Sequence, residues 1–135
     1  MSGDDLIEPT VEQLVAALPG TGEIMASVGR CFGEAWHAAQ AGNYDLAAYF
    51  VRRTRSLLRK LLIVRPKYTR QVTEFDRDHL ESVYQALMAG DLAAFTAAYQ
   101  RAVERANFYH LDTGHPYVRW RAPAQPPDPG LDLGG

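Results

Sequence analysis

Cysteine is almost absent from this 135-residue chain, which contains only Cys31. A single thiol cannot close an internal disulfide, and no Cys-based metal framework can be built from it. Charge of one dominant sign is also missing. The net charge is −2, which gives neither nucleic acid nor an anionic membrane a reason to bind. Apolar runs such as Leu61–Val64 fall far below the roughly 20 residues of a membrane span. The start, Met1-Ser2-Gly3-Asp4-Asp5, is acidic where a secretory leader is basic and then apolar, so a cytoplasmic address is expected. No Gly-x-Ser-x-Gly elbow and no phosphate-cradling glycine loop occur. Glu23, Glu34 and Glu81 do not form the repeated Glu-x-x-His pattern of di-iron bundles.

β-alternation never lasts more than a few residues, whereas helical spacing recurs throughout. Thr10, with Gln13 placed for a capping box, starts a short helix over Val11 to Leu18 that Pro19-Gly20 ends. A helix from about Gly22 to Ala41 aligns Ile24, Val28, Cys31, Ala35 and Ala38 on one stripe. Asn43 caps the next, from about Tyr44 to Val64, with Leu46, Phe50, Leu57, Leu61 and Val64 as its apolar face. Arg52, Arg55, Arg59 and Lys60 read as a solvated face, and Arg65-Pro66 closes the helix. A further helix spans about Val72 to Met88, using Phe75, Leu80, Val83 and Leu87. The last, Leu92 to about His110, turns Phe95, Tyr99, Ala102, Val103 and Ala106 inward.

Four long helices joined by turns of a few residues predict an all-α, antiparallel four-helix bundle. Residues 1–21 form an N-terminal segment with a short helix, 22–114 the bundle, and 115–135 an extended Pro-rich tail. That tail is expected to pack on the bundle and then end in disorder. The stretch His115 to Arg121 is rich in large side chains, and Trp and Arg favour buried interfaces. It therefore folds back across the bundle, meets a partner, or closes a pocket.

Two segments carry a family resemblance. Ala41-Gly42-Asn43-Tyr44-Asp45-Leu46-Ala47 is similar to the Gly-Asn-aromatic-x-Leu-Ala turn of a bacterial c-type four-helix-bundle cytochrome-like family, related to cytochrome c prime. Ala106-Asn107-Phe108-Tyr109-His110, followed by Gly114-His115-Pro116-Tyr117-Val118, resembles that family's haem-attachment segment. Ala89-Gly90-Asp91 and Phe95 stand where the family has a Gly-Asp turn and a Phe. The attachment cysteines would fall at Ala106 and Tyr109, and neither residue can form a thioether. The chain thus resembles a subgroup lacking the haem-attachment cysteines. The resemblance implies non-covalent haem, with His110 as the iron-ligating histidine.

Other residues extend that expectation. Met25 offers a thioether as a second iron ligand. Gly29 and Gly33 each cost a helix about 1 kcal/mol relative to Ala. With Met25 and Trp36 they make a smooth face for either a planar ligand or a close helix contact in a homodimer. Arg53, beside the Phe50/Leu57 stripe, suits a haem propionate or another carboxylate at a pocket edge, or is a snorkelling side chain. Three functions stay open: a haem-binding bundle, a cofactor-free homodimeric scaffold, and a small enzyme placing His110, Tyr109 and Arg53 around an organic substrate.

Overall fold

The computed structural model describes residues 8–134; the acidic start Met1–Asp5 lies outside them. Six α-helices account for most of the described chain, and no strand occurs among these residues. They are α1 (Val11–Ala17), α2 (Thr21–Gln40), α3 (Tyr44–Val64), α4 (Thr69–Phe75), α5 (Glu81–Met88) and α6 (Leu92–Asp112). A single 3-10 turn, Pro66–Tyr68, leads into α4. A π-helical turn, Asp76–Leu80, joins α4 to α5 without a break. α2 packs mainly on α3, α5 on α6, and α3 on α5, with α2 and α4 also meeting α6, so α2 to α6 share one core.

The helix ends are written in the residues. α2, α5 and α6 each finish with a glycine at positive φ: Gly42 at 82°, Gly90 at 65° and Gly114 at 85°. After α2, the Gly42 N–H donates to the Ala39 carbonyl and the Asn43 N–H to the Ala38 carbonyl, both at 2.9 Å. This double bond pattern recruits the orphan carbonyls of a helix terminus. α5 repeats it with Gly90 and Asp91 on Leu87 and Ala86, and α6 with Gly114 and His115 on Leu111 and His110. Asn43 and Asp91 also serve the following helix, accepting from the N–H of Leu46 at 3.1 Å and of Ala94 at 3.0 Å. One residue thus closes one helix and opens the next. After α6 that place belongs to His115, with Pro116 next, and no helix follows.

The α2 stripe is buried as expected, from Ile24 and Val28 through Cys31 to Ala35 and Ala38. In α3 the expected stripe is corrected by one position. Ala47, Ala48, Val51, Thr54 and Leu58 are buried together with Leu61, whereas Leu46, Phe50, Leu57 and Val64 only flank the core. Small residues face α2 because Ala35, Ala38 and Ala39 allow a close approach, and the larger side chains fill the edges of that seam. Arg55 is likewise not a solvated residue. It donates to Asp76 at 2.7 and 3.0 Å and to Glu81 at 2.7 Å. The π turn brings these two carboxylates, five positions apart, to one guanidinium.

The Pro-rich segment lies along α2. The Trp120 N–H donates to Asn107 Oδ1 at 2.6 Å, and Asn107 Nδ2 returns a bond to the Trp120 carbonyl at 2.9 Å. His37 Nε2 donates to the Pro123 carbonyl at 2.7 Å, and the Asp128 N–H donates to Glu34 Oε1 at 2.6 Å. Asn43 Nδ2 donates to the Leu133 carbonyl at 3.0 Å. The residues up to 134, expected to end in disorder, thus meet the bundle through main-chain groups: the Trp120, Pro123 and Leu133 carbonyls accept, and the Trp120 and Asp128 N–H groups donate. Gly33 lies directly beneath this segment: a Cβ there would stand 2.9 Å from Pro127 and 3.1 Å from Pro123. The Gly29/Gly33 face is therefore covered by the chain's own tail, not left open for a second copy.

Candidate functional site

α6 carries Ala106, Tyr109 and His110 on its last two turns, and the turn after Gly114 swings the chain back so that Val118 and Trp120 face them. The starts of α2 and α4 and the end of α3 converge on the same place. Together they enclose a cavity of about 280 Å³ whose wall is almost wholly apolar. Met25 comes from α2, Leu58 and Leu61 from α3, and Val72 and Phe75 from α4. Ala106 and Gly22 leave the room that larger side chains would occupy.

His110 is half-buried in this wall. Its Nδ1 lies 3.0 Å from the Val118 carbonyl oxygen, and a carbonyl can only accept, so Nδ1 carries the proton. Nε2 is then the ring atom with a free lone pair. The ring stands edge-on to Trp120 with centroids 5.4 Å apart. Burial pulls the His110 pKa below its ordinary value, opposed by the bond to Val118 and aided by nearby His115. At neutral pH the imidazole is uncharged and able to accept a hydrogen bond or bind a metal.

The side chains of Thr21 and Gln71 also line the cavity. Their Oγ1 and Oε1 atoms are buried and have no hydrogen-bond partner among the described residues. Nothing in the sequence marked either residue, since each is a single polar side chain at the edge of an apolar stripe. Trp120 was foreshadowed by the large side chains of its segment.

The residues singled out from the sequence divide. Met25, Tyr109 and His110 meet at the cavity. Gly29 instead lies under Trp120, where a Cβ would stand 3.8 Å from the indole. Both line a separate space of about 380 Å³ between α2 and the tail. Trp36 packs on Tyr99 at 4.9 Å and Phe95 at 6.2 Å, in the other half of the bundle. The expected place of Arg53 at a pocket edge is corrected. Its guanidinium is exposed, 5.8 Å from the Tyr49 ring centroid, and it does not line the cavity. The one-position shift of the α3 stripe turns it outward.

Tyr109 contributes its ring to the cavity, but its hydroxyl donates to Glu74, which also pairs with Arg105 at 2.5 Å. Burial and the bond to Glu74 raise the Tyr109 pKa. The bonds from Tyr109 and Arg105 lower that of Glu74. The Arg105 guanidinium also stacks over the Phe108 and Tyr109 rings, at 4.4 and 4.7 Å. The phenol is thereby held as a structural donor. Among the described residues no group of three or more His, Cys, Asp or Glu side chains is placed to hold a metal ion. A metal at this site would have to arrive with most of its ligands. No helix among them is long and apolar enough to cross a membrane. The chain matches no protein-family model, no curated protein and no solved structure.

Proposed function

We propose that this chain binds a small, largely apolar molecule with one hydrogen-bonding end, held between Met25, Phe75, Ala106 and Trp120. The carrying observation is an apolar cavity with His110 in its wall, Nδ1 engaged by the Val118 carbonyl and Nε2 free to accept. Beside it are the side chains of Thr21 and Gln71, whose buried oxygens lack a partner among the described residues. An unsatisfied buried polar atom costs about 1–3 kcal/mol, and a guest that bonds to it recovers that loss. Gln71 Oε1 and His110 Nε2 both accept, and His110 is neutral. The guest is therefore an alcohol, phenol or amine rather than a carboxylate. A space of about 280 Å³ is a little under twice the roughly 150 Å³ that encloses one benzene, which suits one or two fused rings.

On the same reading the four long helical segments form an antiparallel four-helix bundle of the cytochrome c prime type, with the cavity at the haem end. Haem is the second reading, and the tautomer of His110 favours it. A space of about 280 Å³ takes only part of a porphyrin, whose remainder would stand in the open mouth of the cavity. Arg53 is also out of reach of its carboxylates, and Val118 and Trp120 would have to lift away.

A titration with 2-naphthol, read by the emission of Trp120 on the cavity wall, separates the readings when haemin is run in parallel. The expected result is saturable naphthol binding at one equivalent, weakened about tenfold by Gln71→Leu and more strongly by Ala106→Leu, which narrows the space. Unsaturable binding that ignores Ala106→Leu would sink the small-guest reading. A sharp Soret band at one equivalent of haemin, altered by His110→Ala, would transfer the site to haem.

A further inference from the structure

Among the described α-helices, α1 alone buries no residue. Its apolar side chains nevertheless follow a rule. Val11, Leu14 and Val15 recur at i, i+3 and i+4, the spacing of one apolar stripe, with Leu18 at the extended C-cap, and the four are 76, 53, 62 and 50% exposed. The helix start is specified as well. Thr10 Oγ1 accepts from the Gln13 N–H at 3.1 Å, while Gln13 Oε1 accepts from the Thr10 N–H at 2.9 Å. Seven residues are still fewer than the roughly 12–15 at which an isolated helix holds in water. A striped, capped and short helix needs a surface to rest on.

The tether identifies that surface. Only Leu18, Pro19 and Gly20 separate α1 from α2, and the first two residues of α2, Thr21 and Gly22, already line the apolar cavity. Three residues span at most about 10 Å, and α1 is itself about 10 Å long. The stripe can therefore reach the cavity mouth, while the aromatic packing around Trp36 and Phe95 lies further along α2. A Cβ at Gly20 would meet nothing within 4 Å, so the linker is not packed against the bundle at that point.

We infer that α1 is a lid that closes its apolar stripe over the cavity mouth when a guest is inside. This rests on the reading of the cavity as a binding site. Closure removes apolar surface from water on both the helix and the rim at Met25, Val72 and Val118. It also shields the guest's bonds to Gln71 and His110, which strengthens them in the lower local dielectric. The short linker makes docking intramolecular, at an effective concentration of order millimolar, so a modest contact area suffices.

The test is amide hydrogen exchange of residues 11–18 with and without saturating 2-naphthol. Guest occupancy is read from tryptophan emission and molecular mass from light scattering in the same samples. The expected result is at least a fivefold slowing of α1 exchange on binding, with unchanged mass. The Leu14→Asp/Val15→Asp variant should release naphthol about tenfold faster while keeping the helical circular dichroism of the bundle. Bound naphthol with unchanged α1 exchange overturns the lid and leaves the cavity reading standing. Absence of any bound naphthol overturns both. Protection that appears only when the mass doubles assigns the stripe to a second copy and also overturns the lid.

Discussion

The two halves of the α2–α6 contact are built from the same pair of helices and end in opposite states. Towards the end of α2, Phe32 stacks on Tyr99 with centroids 4.1 Å apart and planes within 9°. The Tyr99 hydroxyl donates to the Phe32 carbonyl at 2.9 Å, and burial pushes its pKa up. Trp36 and Phe95 complete an aromatic block, whose outer side borders the space of about 380 Å³ beneath the tail. Towards the start of α2 the facing residues are Gly22, Met25, Ala106 and His110, and a cavity remains. The better-filled half anchors the fold through its stacked rings. The open half gathers small side chains and two of the three buried polar atoms that lack a partner among the described residues, the third being Glu34 Oε2.

Truncation should break the comparison most severely in the filled half. Phe32→Ala removes a ring from between Tyr99 and Trp120 and should cost about 3–5 kcal/mol, measured by urea denaturation. A loss below 1 kcal/mol would mean that the aromatic block is not the anchor. Enlargement should sharpen the contrast. Ala35→Leu, at a fully buried position, should destabilise by about 1–3 kcal/mol through overpacking. Ala106→Leu points into the cavity and should cost less than about 1 kcal/mol or stabilise the fold. Equal penalties at the two sites would remove the distinction between the halves.

The smallest effect concerns protons. Burial lowers the folded-state pKa of His110, so below the unfolded value near 6.5 the unfolded chain binds the proton more readily. Stability is then lost as pH falls through about 6.5 toward the folded pKa. His79 shifts in the same direction, mainly from burial. Denaturation curves between pH 7.5 and 5 should therefore decline less in His110→Gln than in the parent, and least in His110→Gln/His79→Gln. A decline identical in all three chains would show that neither imidazole is linked to folding.

Legibility in the sequence followed the physics of each feature. The turns at Gly42-Asn43 and Gly90-Asp91 were readable because a left-handed glycine followed by a capping side chain leaves a local signature. The α2 stripe was readable from its spacing. The α3 stripe was misplaced by one position because the eye follows large residues, while Ala47, Ala48 and Thr54 owe their burial to the small residues they face on α2. The π turn leaves no periodic mark, since its ion pairs run from Arg55 to Asp76 and Glu81, more than twenty positions away. Gly29 and Gly33 announced a close approach, but a glycine does not say what approaches, and here it is the chain's own indole and prolines. The cavity was legible only at Met25, Tyr109 and His110, and its extent was not. An empty space has no residue of its own, and Thr21 and Gln71 gain meaning only from where their neighbours stop.

Asn43 carries one more consequence. Its Oδ1 begins α3 while its Nδ2 holds the Leu133 carbonyl, 90 positions away. The bonds from His37 to Pro123 and from Asp128 to Glu34 span 86 and 94 positions. Helical bundles fold fast because their contacts are local, and this one adds a set of stitches among the longest the chain can make. During translation α2 would emerge with Gly29 and Gly33 bare and wait for most of the protein before its cover arrives. In that interval the nascent bundle exposes the surface that the finished molecule conceals.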